Sequence, residues 1–100
     1  MALQNIGPVG NFPVNKGVCV ELGGRRIAVF NVTGQYYAID DTCPHRGGSF
    51  SSGSVQGLTA FCPLHGAGAD VRTGACSPPS PRAVAVHDVS CDGQQLFVDL

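Results

Sequence analysis

The stretch CPHRGGSFSSGSVQGLTAFCPLHG, from Cys43 to Gly66, presents two cysteines and two histidines in two short clusters. The first cluster is Cys43-x-His45 and the second is Cys62-x-x-His65, with sixteen residues between His45 and Cys62. The whole chain has five cysteines and three histidines, so this one stretch concentrates its possible metal ligands. Both clusters lie among Gly, Ser and Pro, which favours loops, and loops commonly present functional side chains.

The segment before this stretch has the pattern of an antiparallel meander. VCVEL (18–22) alternates so that Val18, Val20 and Leu22 share one face. Gly23-Gly24 then separates it from RRIAVFNV (25–32), which predicts a hairpin with a primed turn. Thr33-Gly34 leads into QYYAID (35–40) and predicts a second hairpin and a third strand.

The segment after the stretch also has the pattern of short strands. ADVR (69–72) predicts a short strand that ends at Thr73-Gly74. Cys91-Asp92-Gly93 separates RAVAVHDVS (82–90) from QQLFVDL (94–100) and predicts a third hairpin. The sequence therefore predicts an all-β fold of small antiparallel sheets.

Length and periodicity predict one domain over residues 1–100, with a loop-built, ligand-carrying insert at about 41–82 inside the β scaffold. No stretch of about ten residues keeps the 3.6-residue period of a helix. SSGSVQG (51–57) is the one place where we expect a short helical turn.

Composition excludes several classes of function. Charged residues make up 13% of the chain and the net charge is −1, which argues against nucleic acid as a partner. MALQNIGPVGNFPVNKG (1–17) lacks the basic and apolar regions of a signal peptide, and no apolar run is long enough for a membrane span. We therefore expect a cytoplasmic protein without a membrane partner. An odd number of cysteines in a cytoplasmic protein favours a metal site over a disulfide framework.

Two thiolates and two imidazoles suit two kinds of centre. One is a closed tetrahedral zinc site. The other is a [2Fe–2S] cluster in which two histidines replace two cysteines on one iron. Each loop here contributes one Cys and one His, whereas the usual zinc finger pairs Cys with Cys and His with His. The mixed pairing favours the two-iron centre, with both thiolates turned toward one iron and both imidazoles toward the other.

CPHRGG and CPLHG resemble the two halves of the Rieske signature, C-x-H and C-x-x-H. ADVRTG, the following Pro-Pro and the final FVDL also resemble small Rieske ferredoxins, so the resemblance covers essentially the whole chain. It implies one [2Fe–2S] cluster, with Cys43 and Cys62 on the inner iron and His45 and His65 on the outer iron through Nδ1. It also implies a Rieske-type fold of three small sheets with the cluster at one tip.

The resemblance gives a second layer of residues around the cluster. Backbone N–H groups at three glycines would approach its sulfurs and raise its reduction potential, although the same glycines also suit ordinary turns. Two prolines directly after the ligand cysteines would stiffen the loops. A proline-rich segment resembles the loop that covers the cluster in this family. These residues are Gly47, Gly48 and Gly66, then Pro44 and Pro63, then Pro78-Pro79-Ser80-Pro81.

The sequence lacks features that raise the potential in respiratory Rieske proteins. Those proteins carry an extra disulfide between the ligand loops, where this chain has Gly48 and Leu64. They also supply hydroxyl groups just after the second histidine, where this chain has Ala67-Gly68-Ala69-Asp70. We therefore expect a low potential. Ala69 also replaces the aromatic residue of the ferredoxin pattern, which leaves open what packs beneath the second loop.

The remaining cysteines and histidine are interpreted as structural. Cys19 alternates with Val18 and Val20 as a small strand residue. We expect Cys76 and Cys91 to stay reduced, and we expect His87 on the surface of a strand. Arg46, next to His45, suits either a contact to an anionic partner surface or a solvated charge.

The resemblance implies a monomeric one-electron carrier rather than an enzyme. It would take electrons from an NAD(P)H-dependent flavoprotein reductase and pass them to a terminal oxygenase, most simply a ring-hydroxylating one. GAGADV lacks the third glycine of a dinucleotide-binding fingerprint, and His87 is the only histidine left for a second metal site. The alternative within electron transfer is a small subunit of a nitrite- or arsenite-type oxidoreductase. The alternative from another class is a zinc-stabilised interaction module.

Overall fold

A computed structural model describes residues 3–42, 48–63, 67–77 and 83–100, and it has ten strands and two single-turn 3₁₀ helices in these ranges. The 3₁₀ helices are Val9–Asn11 and Phe50–Ser52. The strands are β1 (Leu3–Pro8), β2 (Gly17–Leu22), β3 (Arg25–Val32), β4 (Gln35–Asp40), β5 (Val55–Gln56), β6 (Thr59–Phe61), β7 (Gly68–Asp70), β8 (Val86–His87), β9 (Val89–Cys91) and β10 (Gln95–Asp99).

The strands form three antiparallel sheets, ordered β1-β10-β9, β2-β3-β4-β8 and β5-β6-β7. The predicted all-β class is confirmed. None of the helices in the described ranges is long and apolar enough to cross a membrane.

The predicted meander is confirmed as β2, β3 and β4. Its first turn has positive φ at both Gly23 (57°) and Gly24 (81°), as a primed turn requires. The second turn repeats this at Thr33 (49°) and Gly34 (91°). Thr33 is a β-branched residue in the left-handed region, which costs free energy, and Asn31 supports the turn by accepting a hydrogen bond from the Gly34 N–H at 2.9 Å.

The third predicted hairpin is also confirmed, as β9 and β10, with Cys91 opposite Leu96. β10 has a second neighbour that the sequence pattern did not predict. β1 pairs along its other edge, with Leu3 opposite Asp99 and an irregularity between Asn5 and Gly7. The signal is weak because LQNIGP contains three residue types that strands disfavour, and its partner lies at the opposite end of the chain.

The insert forms its own small sheet, β5-β6-β7. The predicted short strand is present but earlier, because β7 covers Gly68–Asp70 and the chain turns from Val71. The predicted helical turn is present too, and it begins one residue before the predicted segment, at Phe50–Ser52. The expectation that this is the one place for such a turn is wrong, because Val9–Asn11 forms a second 3₁₀ helix. β5 and β6 were not predicted, since two or three residues are too few to show alternation.

RAVAVHDVS is not one strand. Val86–His87 pairs with β4, and Val89–Cys91 pairs with β10 in a different sheet. Asp88 stands between the two pieces, and its carbonyl accepts a hydrogen bond from the Asp99 N–H at 3.0 Å. This segment therefore passes the chain from the central sheet to the terminal sheet.

The central strand β3 separates two apolar cores. Ile27 and Val29 face Leu96 and Val98 of the terminal sheet. The alternate residues Ala28, Phe30 and Val32 face the insert in a second cluster that includes Phe50, Ala60, Cys62, Ala67, Ala69 and Val71. Burial on both faces explains why Ile27 to Val32 reads as a continuous apolar run broken only by Asn31. The second core places a predicted ligand, Cys62, directly above the main sheet.

Candidate metal centre

Of the four predicted ligands, the structure describes Cys62. Cys43, His45 and His65 lie outside the described residues, as do Pro44, Arg46, Gly47, Leu64, Gly66 and residues 78–82. Within the described residues no group of three metal-binding side chains gathers, which is consistent with three predicted ligands lying outside them. The site is therefore described through Cys62 and the residues where each loop begins and ends.

Cys62 follows β6 directly and is 2% exposed. Its N–H donates to the carbonyl oxygen of Ala67 at 2.7 Å, which closes the base of the second ligand loop across the sequence CPLHGA. The side chain belongs to the same apolar cluster as Phe50 and Ala60. The Cys62 side chain therefore faces the apolar core.

Packing beneath the second loop does not need an aromatic residue at position 69. Ala67 and Ala69 are both fully buried. Phe50, also fully buried, belongs to the same cluster. Phe50 therefore contributes aromatic bulk to this core from the first loop instead of from the strand after the second loop.

The base of the first ligand loop is closed by pairing between its two ends. Thr42 and Ser49 form an antiparallel bridge, and the Phe50 N–H donates to the Asp41 carbonyl oxygen at 2.9 Å. Gly48, a predicted backbone donor to the cluster, lies half-buried next to this bridge. The segment 43–47, which holds Cys43 and His45, is bounded by this pairing.

Asp41 is the buried charge at this position, with a side chain that is 1% exposed. It accepts the Ser49 hydroxyl at 2.6 Å and the Ser51 N–H at 2.8 Å, and it pairs with the Arg26 guanidinium at 3.2 Å. Burial alone would raise the pKa of Asp41, but the hydrogen bonds from Ser49 and Ser51 and the charge of Arg26 outweigh it and hold that pKa below its usual value.

The third loop begins and ends next to the other two. Ser77 N–H donates to the Gly68 carbonyl at 2.8 Å, and the Gly68 N–H donates to the Ser77 hydroxyl at 2.9 Å. Ala83, which follows residues 78–82 in the sequence, lines one cleft with Thr42. Each described end of the third loop is therefore next to a described end of one of the other two loops.

A second cleft, of about 530 Å³, opens beside Cys62. Phe61 and Pro63 line one part of it, and Ser52, Gly53 and Ser54 line another. Gly53 is required here by space, because a Cβ at this position would lie 1.6 Å from the Phe61 carbonyl oxygen. The 3₁₀ helix after the first loop is therefore packed directly on the strand that leads into Cys62.

The structure agrees with the interpretation of the other cysteines and corrects that of His87. Cys19 lies on the exposed face of β2, and Cys76 and Cys91 are both free thiols. The prediction that His87 lies on the surface is wrong, because its side chain is only 9% exposed and its Nε2 lies 2.8 Å from Asp40 Oδ1. Arg25 contacts the same carboxylate oxygen at 3.1 Å.

Sequence reasoning did not identify Asp41, Ser49, Ser51 or Ser77 as part of the site. A possible signal was their position, since each lies within a few residues of a predicted ligand or of the predicted covering loop. Short polar residues are common in turns for local reasons, so this position alone did not separate them from ordinary turn residues.

A family model for the Rieske [2Fe-2S] domain matches residues 2–91. The chain belongs to the Rieske [2Fe–2S] domain family. A relative in Shigella boydii serotype 4 (strain Sb227), the 3-phenylpropionate/cinnamic acid dioxygenase ferredoxin subunit, is 35% identical over 95 residues, which cover 93% of this chain and 89% of the relative.

Two solved structures extend the likeness. The ferredoxin of carbazole 1,9a-dioxygenase from Nocardioides aromaticivorans IC177 superposes with a TM-score of 0.92 at 26% identity, over 98% of this chain and 97% of the other. A second structure holds reduced oxygenase and oxidized ferredoxin of carbazole 1,9a-dioxygenase in complex. It matches with a TM-score of 0.89 at 28% identity, over 96% of this chain and 91% of the other.

These comparisons confirm the predicted family and the predicted Rieske-type fold. They also agree with the predicted class of function, because the relatives are named as ferredoxin components of dioxygenases. The chain is a Rieske-type ferredoxin, an electron carrier rather than an enzyme. The relatives named here are ferredoxins and not zinc-stabilised interaction modules.

Proposed function

We propose that this ferredoxin holds one [2Fe–2S] cluster through Cys43, His45, Cys62 and His65, and that residues 1–100 form a single Rieske domain with the cluster-binding insert at about 41–82. The observation that carries the proposal is the buried Cys62 side chain at the closed base of its loop, packed in one apolar cluster with Phe50, which follows the first loop. Such a cluster, when bound, accepts and returns one electron at a time.

The described residues fit a centre of this kind. Cys62 lies against buried apolar side chains, so a charged inner iron would be shielded from water on that side. Shielding of this kind, and backbone N–H groups near the sulfurs, are the means by which a protein adjusts the potential of such a centre. The first and second loops are each closed at the base by a short backbone hydrogen bond, which fixes where their ligands start.

The ligand set is tested by cysteine substitution and metal analysis. Cys62→Ser should leave protein without the red-brown colour of the wild type, and with little iron or inorganic sulfide. Cys76→Ser is the matched control, because Cys76 is partly buried and bridges Ala69 in the same insert but is not one of the four proposed ligands. Loss of iron from the Cys76 variant but not from the Cys62 variant would contradict the assignment.

We further propose that a flavoprotein that oxidises NAD(P)H supplies the electrons and that a terminal oxygenase accepts them, in the cytoplasm, with the ferredoxin acting as a monomer. Support for the oxygenase comes from the names of the relatives and from the carbazole dioxygenase ferredoxin that has been solved together with its oxygenase. We propose neither nucleic acid nor a membrane as a partner.

Both partners should bind at the end of the insert where the loops meet, because electron transfer needs a short distance to the cluster. Pro63 is exposed there, directly after the buried Cys62, and it offers apolar contact area. Leu64 follows Pro63 in the sequence, and Leu64→Asp is predicted to slow reduction by the reductase. Leu3→Asp is the control, because Leu3 is 62% exposed in the terminal sheet, which packs on the opposite face of β3. Equal rates for both variants would contradict docking at the loops.

The same assay separates the alternative within electron transfer. A ferredoxin of a dioxygenase system should support turnover by a dioxygenase reductase and oxygenase pair. Support for a nitrite or arsenite oxidoreductase, with no transfer to the dioxygenase pair, would favour the alternative.

A further inference from the structure

The hydrogen bonds around Asp41 join two parts of the chain that flank the first ligand loop. Asp41 stands two residues before Cys43, whereas Ser49 and Ser51 follow His45. One carboxylate oxygen accepts a hydrogen bond from the Ser49 hydroxyl, and the other accepts a hydrogen bond from the Ser51 N–H. Its two oxygens therefore bridge the entry and the exit of the segment that holds two of the four proposed ligands.

The same residue is fixed to the main sheet. Its backbone N–H donates to the Arg26 carbonyl oxygen of β3 at 3.0 Å, and its side chain pairs with the Arg26 guanidinium. Ser49 Oγ and Ser51 Oγ also lie 2.8 Å apart, which links the two exit residues to each other. Loop entry, loop exit and central strand thus meet at one buried carboxylate.

We infer that Asp41 is a positioning residue for the cluster, which holds the two ends of the first ligand loop together on β3 so that Cys43 and His45 are presented to the metal. This inference rests on the proposed ligand set. Bringing loop ends together costs conformational entropy, so a loop whose base is already closed loses less freedom when it binds a metal.

Burial makes the role of the carboxylate specific. A surface carboxylate would contribute little to holding a loop, because water competes for its hydrogen bonds. Asp41 is buried, and its partners would lose their acceptor in a site that water enters poorly. Residues that support metal ligands in this way typically change metal affinity by about 10- to 100-fold when they are replaced.

The test compares four variants of the purified ferredoxin. Asp41→Ala removes both acceptors, Asp41→Asn keeps an oxygen that can accept the Ser51 N–H, and Ser49→Ala removes one donor. Asp92→Ala is the matched control, because Asp92 also accepts two backbone N–H bonds, from Gln94 and Gln95, but at the β9–β10 hairpin.

The first measurement is the rate at which a chelator bleaches the visible absorbance. Asp41→Ala should bleach about 10- to 100-fold faster than the wild type, with Asp41→Asn and Ser49→Ala between them and Asp92→Ala unchanged. The second is the reduction potential, which should rise in Asp41→Asn because a negative charge two residues before a proposed ligand cysteine is removed. A role confined to general folding would leave the potential unchanged.

The third measurement is amide hydrogen exchange at Ser51, which should be faster in Asp41→Ala whether or not a cluster is present.

Wild-type bleaching rates and an unchanged potential in the Asp41 variants would overturn the inference, as would equally fast bleaching of Asp92→Ala. If Asp41→Ala does not fold, Asp41→Asn and Ser49→Ala decide by the same criteria. Wild-type protein without iron and sulfide would instead refute the proposed ligand set, and Ser51 exchange would still decide whether Asp41 closes the loop base.

Discussion

Gly53→Ala is expected to destabilise the protein through one steric contact. Gly53 follows the 3₁₀ helix Phe50–Ser52, and an added Cβ would lie 1.6 Å from the Phe61 carbonyl oxygen and 2.8 Å from the Phe61 carbonyl carbon. Real Cβ atoms essentially never approach another heavy atom closer than 3.0 Å, so the added Cβ and the Phe61 carbonyl oxygen must move about 1.4 Å farther apart. The φ of Gly53 is −92°, so the cost arises from lack of space and not from backbone conformation.

The magnitude follows from what that movement disrupts. The Phe61 N–H donates to the Ser54 carbonyl oxygen at 2.9 Å, and a separation of this size would break the bond at a cost of about 1 kcal/mol. Overpacking adds about 1–3 kcal/mol. The free energy of unfolding should therefore fall by about 2–4 kcal/mol, a large part of the roughly 5–15 kcal/mol that stabilises a typical domain.

The assay is urea unfolding of the purified ferredoxin followed by far-UV circular dichroism, with visible absorbance recorded in parallel. Gly10→Ala is the matched control, because no atom of the described residues lies within 4 Å of a Cβ at Gly10. The control should leave the urea midpoint unchanged or raise it slightly, since alanine restricts the unfolded chain. The Gly53 variant should unfold at a lower urea concentration and lose its visible absorbance more readily. Equal midpoints for the two variants would refute the reasoning.

Gly74→Ala should lower the urea midpoint, because Gly74 has a φ of +80° and a Cβ there would lie 2.1 Å from the Val84 carbonyl oxygen. Hydrogen bonds from the Gln95 and Gln94 N–H groups lower the pKa of Asp92, so its stabilising contribution is present above about pH 4 and is lost as the pH falls through the folded-state pKa. Asp92→Asn should therefore be less stable than the wild type near pH 6, with a difference that shrinks toward pH 2 in urea titrations; a constant difference would contradict this. The reduction potential should lie near the lower Rieske limit of about −150 mV, and Ala67→Ser should raise it; redox titration showing a wild-type value well above zero would contradict the expectation.

Much of the scaffold could be predicted because its signals are local. Gly23-Gly24 and Thr33-Gly34 supply the positive φ values of two primed turns, and the strands beside them alternate or are continuously apolar. β1 could not be predicted from its own sequence, because it depends on pairing with β10 at the other end of the chain. The sequence pattern predicts His87 on the surface, because alternation does not show that Asp40 of the neighbouring strand binds its side chain.

The candidate site divides in the same way. The types of the proposed ligands and their spacing can be identified directly from the sequence. Cys62, one of these ligands, is buried as a ligand of the inner iron would be. The contacts of Asp41 with Ser49 and Ser51 depend on how the loop folds back on β3, and a sequence pattern does not contain that distance. The same is true of the space around Gly53, since a glycine in a Ser-rich turn has no need to contact a strand.

The proposed function depends most on a two-iron centre with two imidazole ligands. Pulsed EPR of the dithionite-reduced protein tests for this centre directly. A [2Fe–2S] cluster held by Cys43, Cys62, His45 and His65 predicts a paramagnetic reduced state coupled to two directly bound nitrogens, because His₂ replaces Cys₂ on one iron. If a sample contains the cluster but its EPR shows no such nitrogen coupling, the histidines are not ligands. A reduced signal without directly bound nitrogen, or colourless protein that contains zinc and gives no signal, would contradict the account.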